Sequence, residues 1–411
     1  MVSILNGIYF NKRQIFVIFS IFLIVIMAIS FTNVVSAADI TVTPNSPGGL
    51  KDAIATAEKG DTISLQNGVY TGVNNTNITI NKNINIRGLG SNVVIEDKNS
   101  NRIFILQKAK VSINNIKFIG STTNKDVSIG GLISLNKSSL TLSSCTFSNV
   151  LALNDRAIFS QSSYLTVNSC SFRNNNYAIE LLDSKCSAAN SAFINSRAYG
   201  IYTIGSNMTI SASTFTNNTV YGAIGFIQGR LKVTSSTFKN NQARYGAGVG
   251  VRNGVATISN CTFINNNASL YGGAVDSESS IMNVSKCIFK NNHASIAGGA
   301  IYSIEGSLNV KKSTFSKNQA KNDGGAIKTV SSGLYPQFNS KITVSGSTFT
   351  NNKANYDAGA ISNSKLPLKI TDSTFKKNIA GKVYKAIYTV KGKLTKKNVK
   401  ISPKDNTKVK K

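Results

Sequence analysis

The chain is predicted to be all-β: a single-stranded right-handed parallel β-helix, a solenoid of about 13 coils with an N-terminal capping helix. Three observations predict it. Phenylalanine recurs at a nearly constant interval, an asparagine follows three residues after most of these phenylalanines, and a Gly-Gly-Ala-Ile type corner closes many of the coils. Abundant Asn, Ser, Thr and Gly, with no Trp, suit strands joined by tight turns better than long helices.

The elements follow in chain order. In residues 1–37, Lys12 and Arg13 precede an apolar run from Ile15 to Ile29 that only Ser20 interrupts. Val35-Ser36-Ala37 before Ala38 then fits a signal-peptidase site, so this segment reads as a signal peptide. The alternative is an uncleaved signal anchor, because about 20 apolar residues can span a bilayer. Either way, the rest of the chain is expected outside the cytoplasm, secreted or at the cell surface.

Residues 38–100 read as the cap and the first coils. Leu50 to Ala57 forms a short amphipathic helix with Leu50, Ile54 and Ala57 on one side, and Gly60-Asp61 ends it before the strand Thr62 to Leu65. A terminal unit has to cover the exposed end of the apolar core, which gives this helix its purpose.

Residues 101–390 carry the repeats. The anchors run from Phe118 through Phe147, Phe172, Phe193, Phe215 and Phe238 to Phe263, Phe289, Phe315, Phe349 and Phe375. Successive gaps of 29, 25, 21, 22, 23, 25, 26, 26, 34 and 26 define one period of about 25 residues, with an insertion around Ser331 to Ser340. Upstream, positions minus seven, minus five and minus two are small or apolar, as in Met282, Val284 and Cys287 before Phe289. The change of parity after minus five requires a bend. Downstream stand Asn266, Asn292, Asn318, Asn352 and Asn378, residues that tolerate a left-handed corner and can hydrogen-bond up a stack. Gly298-Gly299-Ala300-Ile301 and its relatives open the next strand in many copies, unlike the single copy of a phosphate loop. Residues 391–411 form a basic C-terminal tail, expected to be unstructured from Ser402 onward.

Chemistry is sparse. All five cysteines (Cys145, Cys170, Cys186, Cys261 and Cys287) fall at inward positions, as buried thiols or as disulfides between adjacent coils, and none has metal-ligand spacing. His293 is the only histidine and sits just after an Asn corner, so no histidine-based nucleophile system is available. Acidic candidates for catalysis are Asp276, Glu278 and Glu305 in adjacent coils, Asp323 with Asp357 at equivalent positions, and Glu180 with Asp183. Paired carboxylates of this kind serve glycoside hydrolysis. No cofactor and no metal are expected. The formal net charge of +29 favours anionic partners. Expected partners are cell-wall or host glycans or anionic envelope polymers, not nucleic acid, with membrane contact only through an uncleaved leader.

The coil pattern, with Ser313-Thr314-Phe315, Asn318 and Gly324-Gly325-Ala326-Ile327, resembles that of chlamydial polymorphic outer-membrane proteins. It is still more similar to the adhesin-like proteins of methanogenic archaea, which share the pectate-lyase-type right-handed β-helix. The resemblance covers roughly residues 40–390 and implies surface display and adhesion. The expectation drawn from it is a non-enzymatic, adhesin-like cell-surface protein. Two alternatives stand beside it: a carbohydrate-active enzyme, lyase or glycoside hydrolase, acting on an acidic polysaccharide, and a structural envelope component. Acids clustered with Arg or Lys in one surface groove would favour the enzyme.

Overall fold

The structure is a computed structural model that describes residues 36–98, 102–120, 130–151, 155–331, 340–381, 384–402 and 405–410. The leader up to residue 35 and the insertion at residues 332–339 lie outside the described residues. Among the described residues no helix is long and apolar enough to cross a membrane. Residues 39–411 form one unit, a parallel β-solenoid of the predicted class.

One coil shows how sequence makes the turn. The strand Ile301–Ile304 alternates buried and half-buried residues, then Glu305 adopts φ 52° and swings the chain into Ser307–Lys311. Lys312 at φ 48° turns it into Thr314–Ser316, and Lys317 at φ 54° turns it again toward the short strand Gln319–Ala320. Each bend is one left-handed residue, which shifts the strand parity that the Phe-based pattern requires. The third strands stack into a 14-stranded parallel sheet, and the fourth into a 6-stranded one.

Register is kept by the inward side chains. From Phe118 to Phe375 the rings stack nearly parallel, with centroids 4.6 to 5.0 Å apart, the spacing of neighbouring strands. All of them are fully buried. Each ladder Asn is buried too. Asn292 donates from Nδ2 to the Phe263 carbonyl at 3.0 Å and to Asn318 Oδ1 at 3.0 Å, while its own Oδ1 accepts the Asn266 backbone N–H at 3.0 Å. These asparagines do not take the left-handed corner. That conformation belongs to the preceding residue, Asn265, Asn291, Lys317, Asn351 or Lys377, leaving the ladder Asn free to point inward.

Four of the cysteines share a column with serine, while Cys186 stacks between Leu165 and Met208. Cys287 donates from Sγ to the Ser285 carbonyl, as Ser313 Oγ does to the Lys311 carbonyl, and all five cysteines are free thiols.

At the ends, the helix spans Gly49–Thr56 and buries Leu50, Ala53 and Ile54 against the core, with Ala57 just beyond it also buried. The expectation of an unstructured end beyond Ser402 is corrected. Thr407–Lys410 pairs in parallel with Ile387–Val390 and extends the ladder by one more strand.

Candidate active site

From Phe193 to Phe315, the residue thirteen positions before the anchor Phe sits in the outward column of the first strand of its coil. Parallel register stacks these residues into a column: Glu180, Tyr202, Gly225, Gly250, Asp276, Tyr302. The two glycines in the middle leave a gap two coils wide between the larger side chains on either side. A cleft of about 260 Å³ fills that gap. A β-carbon placed at Gly250 would meet nothing closer than 3.9 Å, so the cleft floor is open there. At Gly225 it would fall 2.5 Å from the Tyr199 ring, which leans over that position.

Tyrosines build the walls. Tyr199 stacks on Tyr202 at 5.0 Å and on Tyr221 at 5.3 Å on one side. On the other, Tyr245 neighbours Tyr271 at 6.1 Å and Tyr271 stacks on Tyr302 at 4.5 Å. Burial raises the Tyr199 phenol to about 12, so that hydroxyl stays protonated and can donate a hydrogen bond.

Charge enters from three residues. Arg252, next to Tyr245 at 5.9 Å, pairs with Glu278 at 3.0 Å. Arg244 lies 5.7 Å from the Tyr245 ring centre and has no carboxylate partner among the described residues. Asp276 is 5% exposed, lines the cleft, and has no hydrogen-bond or ion-pair partner among the described residues. Burial raises its carboxyl to about 7, Arg252 opposes the shift, and Glu278 adds to it. Asp276 and Glu278 face outward from one strand, Val275–Glu278, with the buried Ser277 between them. Extended backbone sets their α-carbons about 7 Å apart. Two carboxyls on one strand therefore sit in contrasting states: one buried and half-protonated near neutrality, one exposed and ion-paired to arginine.

The remaining sequence candidates lie elsewhere. Glu305 occupies a left-handed corner and accepts a hydrogen bond from Ser331 Oγ at 3.1 Å. Asp323 accepts the Asp357 backbone N–H at 3.1 Å and lies 3.6 Å from Lys328 Nζ, a structural cluster beyond Tyr302. Glu180 is buried and pairs with Arg156, forming the upstream border of the column, while Asp183 is an exposed left-handed corner residue. His293 is half-buried against Asn267 Oδ1 at 2.8 Å, and burial lowers its pKa. Among the described residues no group of three or more His, Cys, Asp or Glu is placed to hold a metal ion. Reading the acids alone missed Arg244, Arg252, the tyrosines, and Gly225 with Gly250. Aligning the coils at minus thirteen would have exposed the column.

A family model described as a right handed beta helix region matches residues 156–311 and 228–393, together more than half the chain. The chain belongs to this family. Among curated proteins, none matches this right-handed β-helix protein. Solved structures with a similar fold include a mannuronic acid specific polysaccharide family 6 lyase from human gut microbiota. It is 12% identical, with 87% of this chain and 83% of that chain covered and a TM-score of 0.48. The A-module of an Azotobacter vinelandii mannuronan C-5 epimerase is 15% identical, with 86% of this chain and 93% of that chain covered and a TM-score of 0.39. A Yersinia enterocolitica family 28 exopolygalacturonase is 11% identical, with 90% and 79% covered and a TM-score of 0.40. These solved structures are carbohydrate-active enzymes and none is an adhesin, which runs against the expected adhesin-like reading and with its carbohydrate-active alternative; they do not show whether this chain is an enzyme. The fold rests on the parallel sheets and the family match, and the case for chemistry has to come from this chain's own residues.

Proposed function

We propose that this right-handed β-helix protein is an exported carbohydrate-active enzyme that hydrolyses an acidic polysaccharide in the cleft over Gly250. One observation carries the reading: a buried, unpartnered Asp276 carboxyl facing a tyrosine-walled cleft beside two arginines. Asp276, Arg252 and Arg244 line one groove, as the sequence condition asks, and Glu278 reaches it through its ion pair with Arg252.

The chemistry follows from the split between the carboxyls. Asp276 in its protonated form gives its proton to the glycosidic oxygen as the C–O bond breaks. Glu278, ion-paired with Arg252, takes a proton from the water whose oxygen forms the new bond to carbon. Tyrosine faces suit the apolar sides of sugar rings, and Arg244 suits a uronate carboxylate.

The test is product analysis on polygalacturonate, alginate and neutral dextran with the wild-type chain and Asp276→Asn. The reading expects oligosaccharides from an acidic polymer and a loss of at least ~100-fold in the variant. It also expects the rate to fall above pH 7 as Asp276 loses its proton. Equal release by the variant, or no release from any polymer by the wild type, would overturn it.

A further inference from the structure

A second cleft lies on the second strands of these coils. The second strands present outward side chains in register: Tyr164, Lys185, Asn207 and Arg230 form one column, and Thr166, Ser187, Thr209 and Lys232 the next. Together they line a shallow cleft of about 580 Å³, open to solvent and distinct from the one over Gly250. Lys185 Nζ lies 5.3 Å from the centre of the Tyr164 ring, which is 57% exposed. Lys185, Arg230 and Lys232 have no carboxylate partner among the described residues, whereas Arg252, Arg156 and Lys328 all do. Among the described residues no carboxylate lines this surface.

We infer that this face is a non-catalytic binding site for the acidic polysaccharide itself, with Lys185, Arg230 and Lys232 on its carboxylates and Tyr164 under a sugar ring. Three features on the page support that occupant. Cations on coils two apart, about 10 Å along the stack, match repeated anionic groups on a chain better than one small ion. Thr166, Ser187, Asn207 and Thr209 place hydroxyls and an amide between them, suited to sugar hydroxyls. The exposed aromatic offers a stacking face that a purely electrostatic patch would not need. The ligand class is taken from the reading of the cleft over Gly250. A surface of this kind would hold a long polymer near that cleft and raise its local concentration.

Affinity electrophoresis of the full chain through polygalacturonate, with dextran as the neutral probe, tests the inference. Four variants are compared with wild type: Lys185→Ala/Arg230→Ala/Lys232→Ala, Tyr164→Ala, Asp276→Asn, and a charge-matched control, Lys239→Ala/Lys290→Ala/Lys376→Ala, on the third-strand face. The expected result is a loss of at least ~10-fold in polygalacturonate affinity for the first triple variant. Tyr164→Ala, with net charge unchanged, loses ~3-fold or more, the control triple and Asp276→Asn lose less than ~2-fold, and dextran retards none of them. Equal losses in the two triple variants would reduce the effect to net charge and overturn the inference, as would wild-type affinity in the first triple. Its failure is separable from that of the proposed hydrolysis: the loss of retardation in the first triple variant reads this surface, while product release by Asp276→Asn against wild type reads the cleft over Gly250.

Discussion

The coils ending at Phe289, Phe315 and Phe349 and those ending at Phe215, Phe238 and Phe263 share a backbone, a phenylalanine stack and an asparagine ladder. Their outward faces differ. The former carry Asp276, Tyr302 and Lys328 in the outward column, and the latter carry Tyr202, Gly225 and Gly250. What repeats holds the fold, and what fails to repeat makes the site. A solenoid allows this separation because each coil needs only its inward residues to stack on its neighbours.

Substitutions can sharpen that contrast or break it. The largest effect on stability is expected inside. Phe289→Ala removes a fully buried ring from the middle of the stack and should cost ~3–5 kcal/mol in urea unfolding. Tyr202→Ala, at the cleft wall, should cost less than ~1 kcal/mol yet lower the rate on the acidic polysaccharide ~10-fold or more. If the two variants were equally destabilised, inward and outward positions would not be separable.

Next in size is the pH dependence of the buried acid. The folded pKa of Asp276, about 7, lies above the ordinary carboxylate value, so the native state holds a proton that the unfolded chain releases. Its burial is therefore tolerated at low pH and becomes a growing cost as pH rises from about 4 through 7. Asp276→Asn should be more stable than wild type at pH 8, by up to ~4 kcal/mol, with the difference vanishing near pH 4. Denaturation curves at the two pH values check this, and a constant difference would contradict it.

Asn292→Ala follows, at ~2–4 kcal/mol. It leaves the Asn266 backbone N–H and side-chain amide without their acceptor, and the Phe263 carbonyl without its donor. The smallest effect belongs to Cys287→Ser, within ~1 kcal/mol, because the neighbouring coil already places Ser313 in the same column with the same bond to its own strand. A large loss there would show that the thiol does more than fill a serine position.

How much the sequence discloses follows the same division. Inward positions repeat, so a single chain read against itself reveals Phe118 to Phe375, the Asn ladder, the bends and the capping helix. Asp276 and Glu278 could be singled out as acids in a repeat. Their environment could not, because it is assembled across coils: Arg252 comes from the preceding coil, Arg244 and Tyr245 from its far corner, and Tyr199 from two coils earlier still. Glycine is the least conspicuous signal of all. Gly225 and Gly250 shape the cleft by lacking a side chain, and a search for reactive groups passes over them. At the C-terminus, the lysine-rich composition masked the strand Thr407–Lys410.

The most direct measurement is a crystal structure of Asp276→Asn soaked with a uronic acid tetrasaccharide. The account predicts a sugar ring over Gly250, between Tyr202 and position 276, with its carboxylate toward Arg244. A tetrasaccharide bound along the ladder faces while that cleft stays empty would contradict it.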